Sequence, residues 1–273
     1  MPKLTTPDQV NLNYTDIGSG RPIVMIHGWP LSGAAFADNA KVLAAAGYRV
    51  ITYDRRGFGQ SGKPRDGYDY DTLAADLDAL LTGLDLHDVV LLGFSMGGGE
   101  VARYLATRGS ERVGAAILSG SICPALCITK DNPDGAMPRE GFQELADACA
   151  ADHAGFVDQF CGWFYSNDQG LTVPEEIRQQ AVEIARQSAP HAAVATILIW
   201  VEDLREDCRR IDVPLLVIHG DGDQNVPLAK SSARMPEYAQ QAQLVVIEGG
   251  PHGINVSHAD QWNAAILSFL AGS

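Results

Sequence analysis

The sequence predicts an α/β fold: a mostly parallel central sheet flanked by helices, with a helical cap inserted between two strands. Two observations predict it. Short, unbroken β-branched runs alternate with longer stretches whose apolar residues recur at helical spacing, the pattern of a parallel sheet covered on both faces. One long interval, residues 122–211, breaks that rhythm, because it holds no convincing strand-like run and reads as several helices. Residues 1–121 and 212–273 are therefore expected to build the sheet domain, with 122–211 as a cap over one end of it.

The elements follow in order. Residues 4–17 suit a leading hairpin, and Gly18-Ser19-Gly20 supplies the turn into the first core strand, Pro22–Ile26. Arg49–Tyr53, Val89–Phe94 and residues 113–118, 214–218 and 243–247 repeat the compact β-branched pattern. Helices are expected over 36–46, 70–84 and 97–108, the second carrying Leu73, Leu77, Leu80, Leu81 and Leu84 on one stripe. Asp69 and Asp71 stand at its start, where acidic groups suit the positive end of a helix. Within the inserted interval, 174–187 and 190–203 have helical character.

Composition narrows the function. Of the 273 residues 46% are hydrophobic and 20% charged, enough apolar chain for a sizeable core and too little charge for global disorder. Twenty basic against 34 acidic side chains leave a net charge of −14, which repels phosphate backbones and anionic lipid surfaces. No nucleic-acid or membrane partner is expected. Residues 1–14 lack the basic start, apolar stretch and cleavage site of a secretory signal, and the apolar run 192–201 is far short of the roughly 18 residues of a membrane span. A cytoplasmic protein is expected. Its five cysteines, Cys123, Cys127, Cys149, Cys161 and Cys208, are an odd number and read as buried free thiols. None has the companions of a zinc site, so neither metal nor cofactor is expected.

The chemistry concentrates at strand ends. Gly93-Phe94-Ser95-Met96-Gly97 fits G-x-S-x-G between a strand and a helical stretch, the setting in which a serine is held on a tight strained turn with its hydroxyl exposed above the sheet. Glycines 93 and 97 remove the clashes such a turn creates, and the Met96 N–H then faces an oxyanion formed on attack. The same glycines do not fit a dinucleotide or phosphate loop, since there is no G-x-G start and no Gly-Lys-Ser/Thr. A serine nucleophile needs a base and a group to orient it. His252, in the tight loop after the last strand, is the best-placed base, and Asp221 and Asp223, just after strand 214–218, are candidate acids. Asp223 is favoured, because Asp221 sits beside the turn and suits capping it. His27-Gly28-Trp29-Pro30 follows the first core strand and offers the Trp29 N–H as second oxyanion donor, with Pro30 restricting Trp29 to extended conformations. His27 is better placed to shape that loop than to act as base. Asp54 and Arg56 read as loop structure, and the cap aromatics Phe160, Trp163, Phe164 and Trp200 suit either a substrate pocket or cap core.

These motifs, together with Asp54-Arg55-Arg56-Gly57-Phe58-Gly59-Gln60-Ser61, His219-Gly220-Asp221-Gly222-Asp223 and Pro251-His252-Gly253, resemble the α/β-hydrolase superfamily over nearly the whole chain. More narrowly they resemble its bacterial arylesterases and cofactor-free haloperoxidases, or perhydrolases. The resemblance implies Ser95 as nucleophile, His252 as base, Asp223 as the third member and Trp29 and Met96 as oxyanion donors. It implies a small-molecule ester or carboxylic acid as substrate, with water or hydrogen peroxide as second reactant. The Trp29-Pro30 pair is the mark of the haloperoxidase-like members, where a Trp29 carbonyl turned toward bound peroxide would favour peracid formation, and it puts Pro30 beside the substrate. Relatives are often oligomeric, which makes homo-oligomerisation an open expectation. Amide or lactam hydrolysis on the same triad, and a silent ligand-binding homologue, are the alternatives to ester hydrolysis.

Overall fold

The computed structural model describes residues 2–272. The chain begins with an antiparallel hairpin, β1 (Lys3–Thr5) and β2 (Asn11–Gly18). It continues through β3 (Pro22–Ile26), α1 (Ala37–Ala45), β4 (Arg49–Tyr53), α2 (Tyr70–Gly83), β5 (Val89–Phe94), α3 (Met96–Arg108) and β6 (Val113–Ser119). Two-residue strands β7 (Cys127–Ile128) and β8 (Met137–Pro138) lead into α4 (Arg139–Ala151) and α5 (His153–Phe164). A second minimal pair, β9 (Ser166–Asn167) and β10 (Gly170–Leu171), precedes α6 (Glu175–Ala185), α7 (Pro190–Leu198) and α8 (Arg205–Arg209). The chain returns through β11 (Leu215–Gly220) and β12 (Ala242–Ile247) and closes with α9 (Ile254–Ser257) and α10 (Ala259–Leu270).

Eight strands form one sheet in the order β1-β2-β4-β3-β5-β6-β11-β12. From β4 to β12 the pairings are parallel, and only the leading hairpin and its junction with β4 are antiparallel. The expected mostly parallel sheet is thus present. Helices α1 and α10 pack together on one side, and α2, α3 and α8 form a packed group of their own. Central β5 is consequently buried at every residue, whereas edge strand β12 leaves Val246 45% exposed. Asp69 caps α2 as its position suggested, its carboxylate accepting from the Thr72 N–H at 2.8 Å.

Several boundaries shift by one or two residues from the sequence expectation, and two differences have a visible cause. The first helix starts at Ala37 because a 3-10 turn, Gly33–Phe36, precedes it. Helix α7 ends at Leu198, where a further 3-10 turn takes over until Glu202 adopts an extended conformation. Helix α10 is an addition to the elements read from the sequence, although Trp262, Ile266, Phe269 and Leu270 are spaced to bury one face of a helix, as they do.

The segment between β6 and β11 is mostly helical and is tied to the sheet loops by hydrogen bonds. The indole N–H of Trp29 donates to the Ala193 carbonyl at 3.0 Å, and the Ala189 N–H to Gly57 at 2.8 Å. These bonds seat α7 beside the loops at the carboxyl ends of β3 and β4, and α4 packs against both α7 and α5. The strand order reverses at β3, since β4 lies on one side of it and β5 on the other. In open α/β sheets this reversal opens a crevice for ligands. No helix among the described residues is long and apolar enough to cross a membrane.

Candidate active site

Ser95 occupies the corner between β5 and α3 with φ 55° and ψ −120°, a backbone region that a side-chain-bearing residue adopts only when its surroundings enforce it. The enforcement comes from glycines. A Cβ on Gly93 would lie 2.4 Å from the Gly97 carbonyl oxygen, and one on Gly97 would lie 2.5 Å from that of Ile26. Both positions need glycine so that α3 can start directly against β5 and β3. The turn places Ser95 at the N-terminus of α3, where backbone N–H groups lack intrahelical acceptors. Met96, the first residue of that helix, is fully buried.

His252 reaches the serine from the loop after β12. Its Nε2 stands 2.9 Å from Ser95 Oγ and its Nδ1 2.6 Å from Asp223 Oδ2. A carboxylate only accepts, so Nδ1 carries the proton and Nε2 presents its lone pair to the serine hydroxyl. The imidazole is 1% exposed and held between rings, 4.9 Å edge-on from Phe164 and 5.2 Å from Phe94. Asp223 is fixed from both sides. Its Oδ1 accepts from the backbone N–H groups of Asn225 at 2.9 Å and Val226 at 2.8 Å, and its Oδ2 lies 3.1 Å from His219 Nε2. Burial by itself would push this carboxyl up. The electrostatic attraction to His252 and the hydrogen bonds from His219 and His252 win, and hold it below the usual carboxylate range. Asp221 accepts from the Gly249 N–H at 2.6 Å, so it caps the neighbouring turn and stands outside the Ser95–His252–Asp223 chain.

The loop after β3 completes the corner. The Trp29–Pro30 bond is cis, and the Trp29 ring is almost wholly buried against Phe160 at 4.7 Å, Trp200 at 5.4 Å and Phe156 at 5.8 Å. The side chain thus anchors the loop to the helices above it, and Gly28, the residue before it, lies against Phe94 and Ser95, where an added Cβ would come within 3.0 Å of the Ser95 Cβ. Beneath the loop lies a buried polar group that the sequence did not disclose. Arg55 Nε donates to Glu100 at 2.8 Å, Arg55 Nη2 to the His27 carbonyl at 2.8 Å, and the Tyr53 hydroxyl bonds the same Glu100. This links the first turns of α3 to the loop carrying Trp29. Burial pushes the Glu100 carboxyl up against the pull of Arg55. Asp54 and Arg56 are structural. Asp54 accepts from the Gly33 and Gln60 N–H groups at 2.9 and 2.8 Å, and Arg56 is paired with Asp76 at 2.6 Å and Asp8 at 2.9 Å.

His27 is shaped by the same cluster and has a measurable consequence. Its Nε2 accepts from the Arg55 N–H at 3.0 Å, which leaves the proton on Nδ1, 2.9 Å from the Gly28 carbonyl. Full burial, with Arg55 beside it, holds His27 well below its ordinary value of 6.5. Above that pH both folded and unfolded chains keep it neutral. Below it the unfolded chain binds a proton that the folded chain refuses, so stability falls as pH drops, by about 1.4 kcal/mol per pH unit from this group. Urea unfolding at neutral pH and at about pH 5 is expected to show that loss, and His27→Gln to flatten it. An unchanged slope in the variant would remove His27 as the cause.

A cavity of about 300 Å³ opens on Ser95 and His252. Of the aromatic residues singled out in the sequence, Phe160, Trp163 and Trp200 line it, with Trp163 39% exposed. Phe164 does not line it, because its ring is spent packing against His252, and buried Pro30 is also outside the lining. The wall includes residues the sequence did not single out: Ile122, Leu126, Met137, Phe142 and Leu145, and Asn225 and Val226 from the loop that carries Asp223. A helical spacing of apolar residues at Phe142 and Leu145 was the available signal, but it did not say which face would look at the serine. Another cavity, about 310 Å³, lies between α1, α6 and α10, away from Ser95 and His252.

Comparison with known proteins identifies the family. The family model described as alpha/beta hydrolase fold matches residues 21–259. A non-heme chloroperoxidase of Kitasatospora aureofaciens is 40% identical over 274 residues, covering 99% of this chain and 99% of that protein. A bifunctional esterase/perhydrolase of Acinetobacter calcoaceticus is 33% identical and covers 98% of each. The crystal structure of a bromoperoxidase from Bacillus anthracis superposes with a TM-score of 0.96 at 39% identity, over 99% of both chains. Matched in fold and in sequence over 99% of its length, the chain belongs to the alpha/beta hydrolase family.

Proposed function

We propose that the protein is a serine carboxylic-ester hydrolase in which hydrogen peroxide can replace water, giving perhydrolase and cofactor-free haloperoxidase activity. The observation that carries the reading is the hydrogen-bonded line from Asp223 through His252 to Ser95, 2.6 and 2.9 Å, at the mouth of an apolar cavity. The names of the haloperoxidase and esterase/perhydrolase relatives support both halves of it. Residues 122–211 act as the cap that shapes the acyl pocket, with residues 1–121 and 212–273 as the catalytic core.

The residues perform the reaction as follows. His252 Nε2 takes the Ser95 proton as Oγ attacks the ester carbonyl. The Trp29 and Met96 N–H groups hold the oxyanion, and Asp223 stabilises the imidazolium. Collapse breaks the bond to the alcohol, which leaves with the proton from His252 and makes an acyl ester on Ser95. Water, or hydrogen peroxide, then gives a proton to His252 and attacks the acyl carbon. Collapse returns that proton to Ser95 and releases a carboxylic acid, or a peroxy acid. A carboxylic acid can form the same acyl-enzyme with loss of water. The released peroxy acid oxidises halide in solution and is itself reduced to the carboxylic acid.

The test is rapid mixing with p-nitrophenyl acetate, for the wild type and Ser95→Ala, with and without peroxide. Release of p-nitrophenol is expected to fall at least about 10³-fold in the variant, and peroxide is expected to divert wild-type product into peracetic acid. Equal rates in the two proteins would overturn the assignment.

A further inference from the structure

The wall of the cavity at Ser95 and His252 carries a side chain whose chemistry ester hydrolysis does not use. Met137, in β8 just before α4, lines it. Its thioether lies over the first turn of that helix, where a Cβ on Gly141 would stand 3.0 Å from Sδ, so the glycine leaves the room that the sulfur takes. Met137 is half-buried against the core, whereas Met25, Met96 and Met235 are fully buried and line no part of this cavity. The five cysteines are buried as well, and none of them lines it. Among the described residues, the sulfur at the wall where product forms is therefore the Met137 thioether.

A peroxy acid formed on Ser95 is released into this cavity, whose volume of about 300 Å³ brings a small product against the wall before it escapes. Such an acid is a strong oxygen donor, because a carboxylate leaves readily from its terminal oxygen. Hydrogen peroxide must expel hydroxide or water instead and reacts more slowly with the same sulfur. A thioether is polarizable and needs no deprotonation, so partial burial does not silence it as it silences a thiol. We infer that Met137 is a modification site, oxidised to the sulfoxide by the peroxy acid that the enzyme itself makes. A lone pair on Sδ attacks the terminal peroxy oxygen, the O–O bond breaks, and the peroxy proton passes to the departing carboxylate. Methionine sulfoxide and the carboxylic acid are the products; the sulfur is oxidised and the peroxy bond reduced. The added oxygen is polar and stands on a wall built by Leu126, Phe142 and Leu145, so apolar acyl groups lose their fit. The inference rests on the perhydrolase reading and names a product-driven change at the same cavity.

The experiment incubates the wild type with ethyl acetate and hydrogen peroxide together, and with peroxide alone. Ser95→Ala receives both reactants. Peroxy acid is followed by its oxidation of bromide in withdrawn samples, and peptide mass spectrometry reads one added oxygen on Met137 against Met235. Met137 sulfoxide is expected to accumulate with turnover in the wild type given both reactants, while Met235 stays unmodified. After removal of the reactants, kcat/KM of that protein for p-nitrophenyl butyrate is expected to have fallen by about tenfold, the effect of a polar group left unpaired on an apolar wall. Met137→Leu keeps the bulk and removes the sulfur, and after the same treatment it is expected to retain its own starting value. Peroxy acid made without Met137 oxidation overturns the inference. So does equal oxidation with peroxide alone or in Ser95→Ala, and a sulfoxide that leaves kcat/KM unchanged overturns its effect on fit. Absence of peroxy acid from the wild type would instead overturn the perhydrolase reading beneath it.

Discussion

Asp223→Asn is expected to lower kcat by about 10⁴-fold with little change in the fold. The reason lies in the hydrogen bonds around the carboxylate. Two backbone N–H groups, from Asn225 and Val226, point at Oδ1 at 2.9 and 2.8 Å. An asparagine would turn its carbonyl oxygen to them and its NH2 toward His252. The imidazole would then accept at Nδ1 and carry its proton on Nε2, the nitrogen that faces Ser95 Oγ. In that tautomer it cannot take the serine proton. Steady-state hydrolysis of p-nitrophenyl acetate measures the loss, and circular dichroism checks the fold. A variant within tenfold of wild type would show that Asp223 does not set the tautomer.

The largest effect on stability is expected at Glu100. Arg55 and Glu100 have essentially no exposed side-chain surface, and their 2.8 Å pair lies under the loop that carries Trp29. A guanidinium keeps its proton in any protein setting, so Glu100→Ala strands a buried positive charge. Breaking such a pair from one side costs about 3–5 kcal/mol, which for a chain of this size lowers the melting temperature by roughly 10 °C. Replacing both partners with apolar residues, Arg55→Met with Glu100→Leu, is expected to restore most of the loss, because no charge is then left unpaired. Differential scanning calorimetry of the two single variants and the double variant decides it. A single variant within about 1 kcal/mol of wild type would mean that the pair contributes little.

Much of the site could be read from local pattern. Gly93, Ser95 and Gly97 announce a strand–turn–helix corner because only glycine fits where the Gly97 and Ile26 carbonyls approach. Asp223 and His252 follow strands that end at the same edge of a parallel sheet, so strand periodicity alone brings their loops together. The pocket was less legible. Phe160 and Phe164 are four residues apart on one helix and look equivalent in sequence, yet one faces the cavity and the other backs His252. The two share a helix face one turn apart, so the division depends on where along its axis α5 crosses the site, a packing property with no local signature.

The sequence by itself determined the α/β architecture, the inserted helical segment and the strand–turn–helix corner at Ser95. These follow from hydrophobic period, turn chemistry and glycine spacing, all properties of neighbouring residues. Only the tertiary structure decided that Arg55 and Glu100 share a buried ion pair and that His219 stands beside Asp223. Each of these contacts joins different elements or turns on the conformation of a loop. Burial gives them their meaning: the same side chains at the surface would be paired by water, and inside the fold their chemistry is fixed by whichever groups packing brings to them.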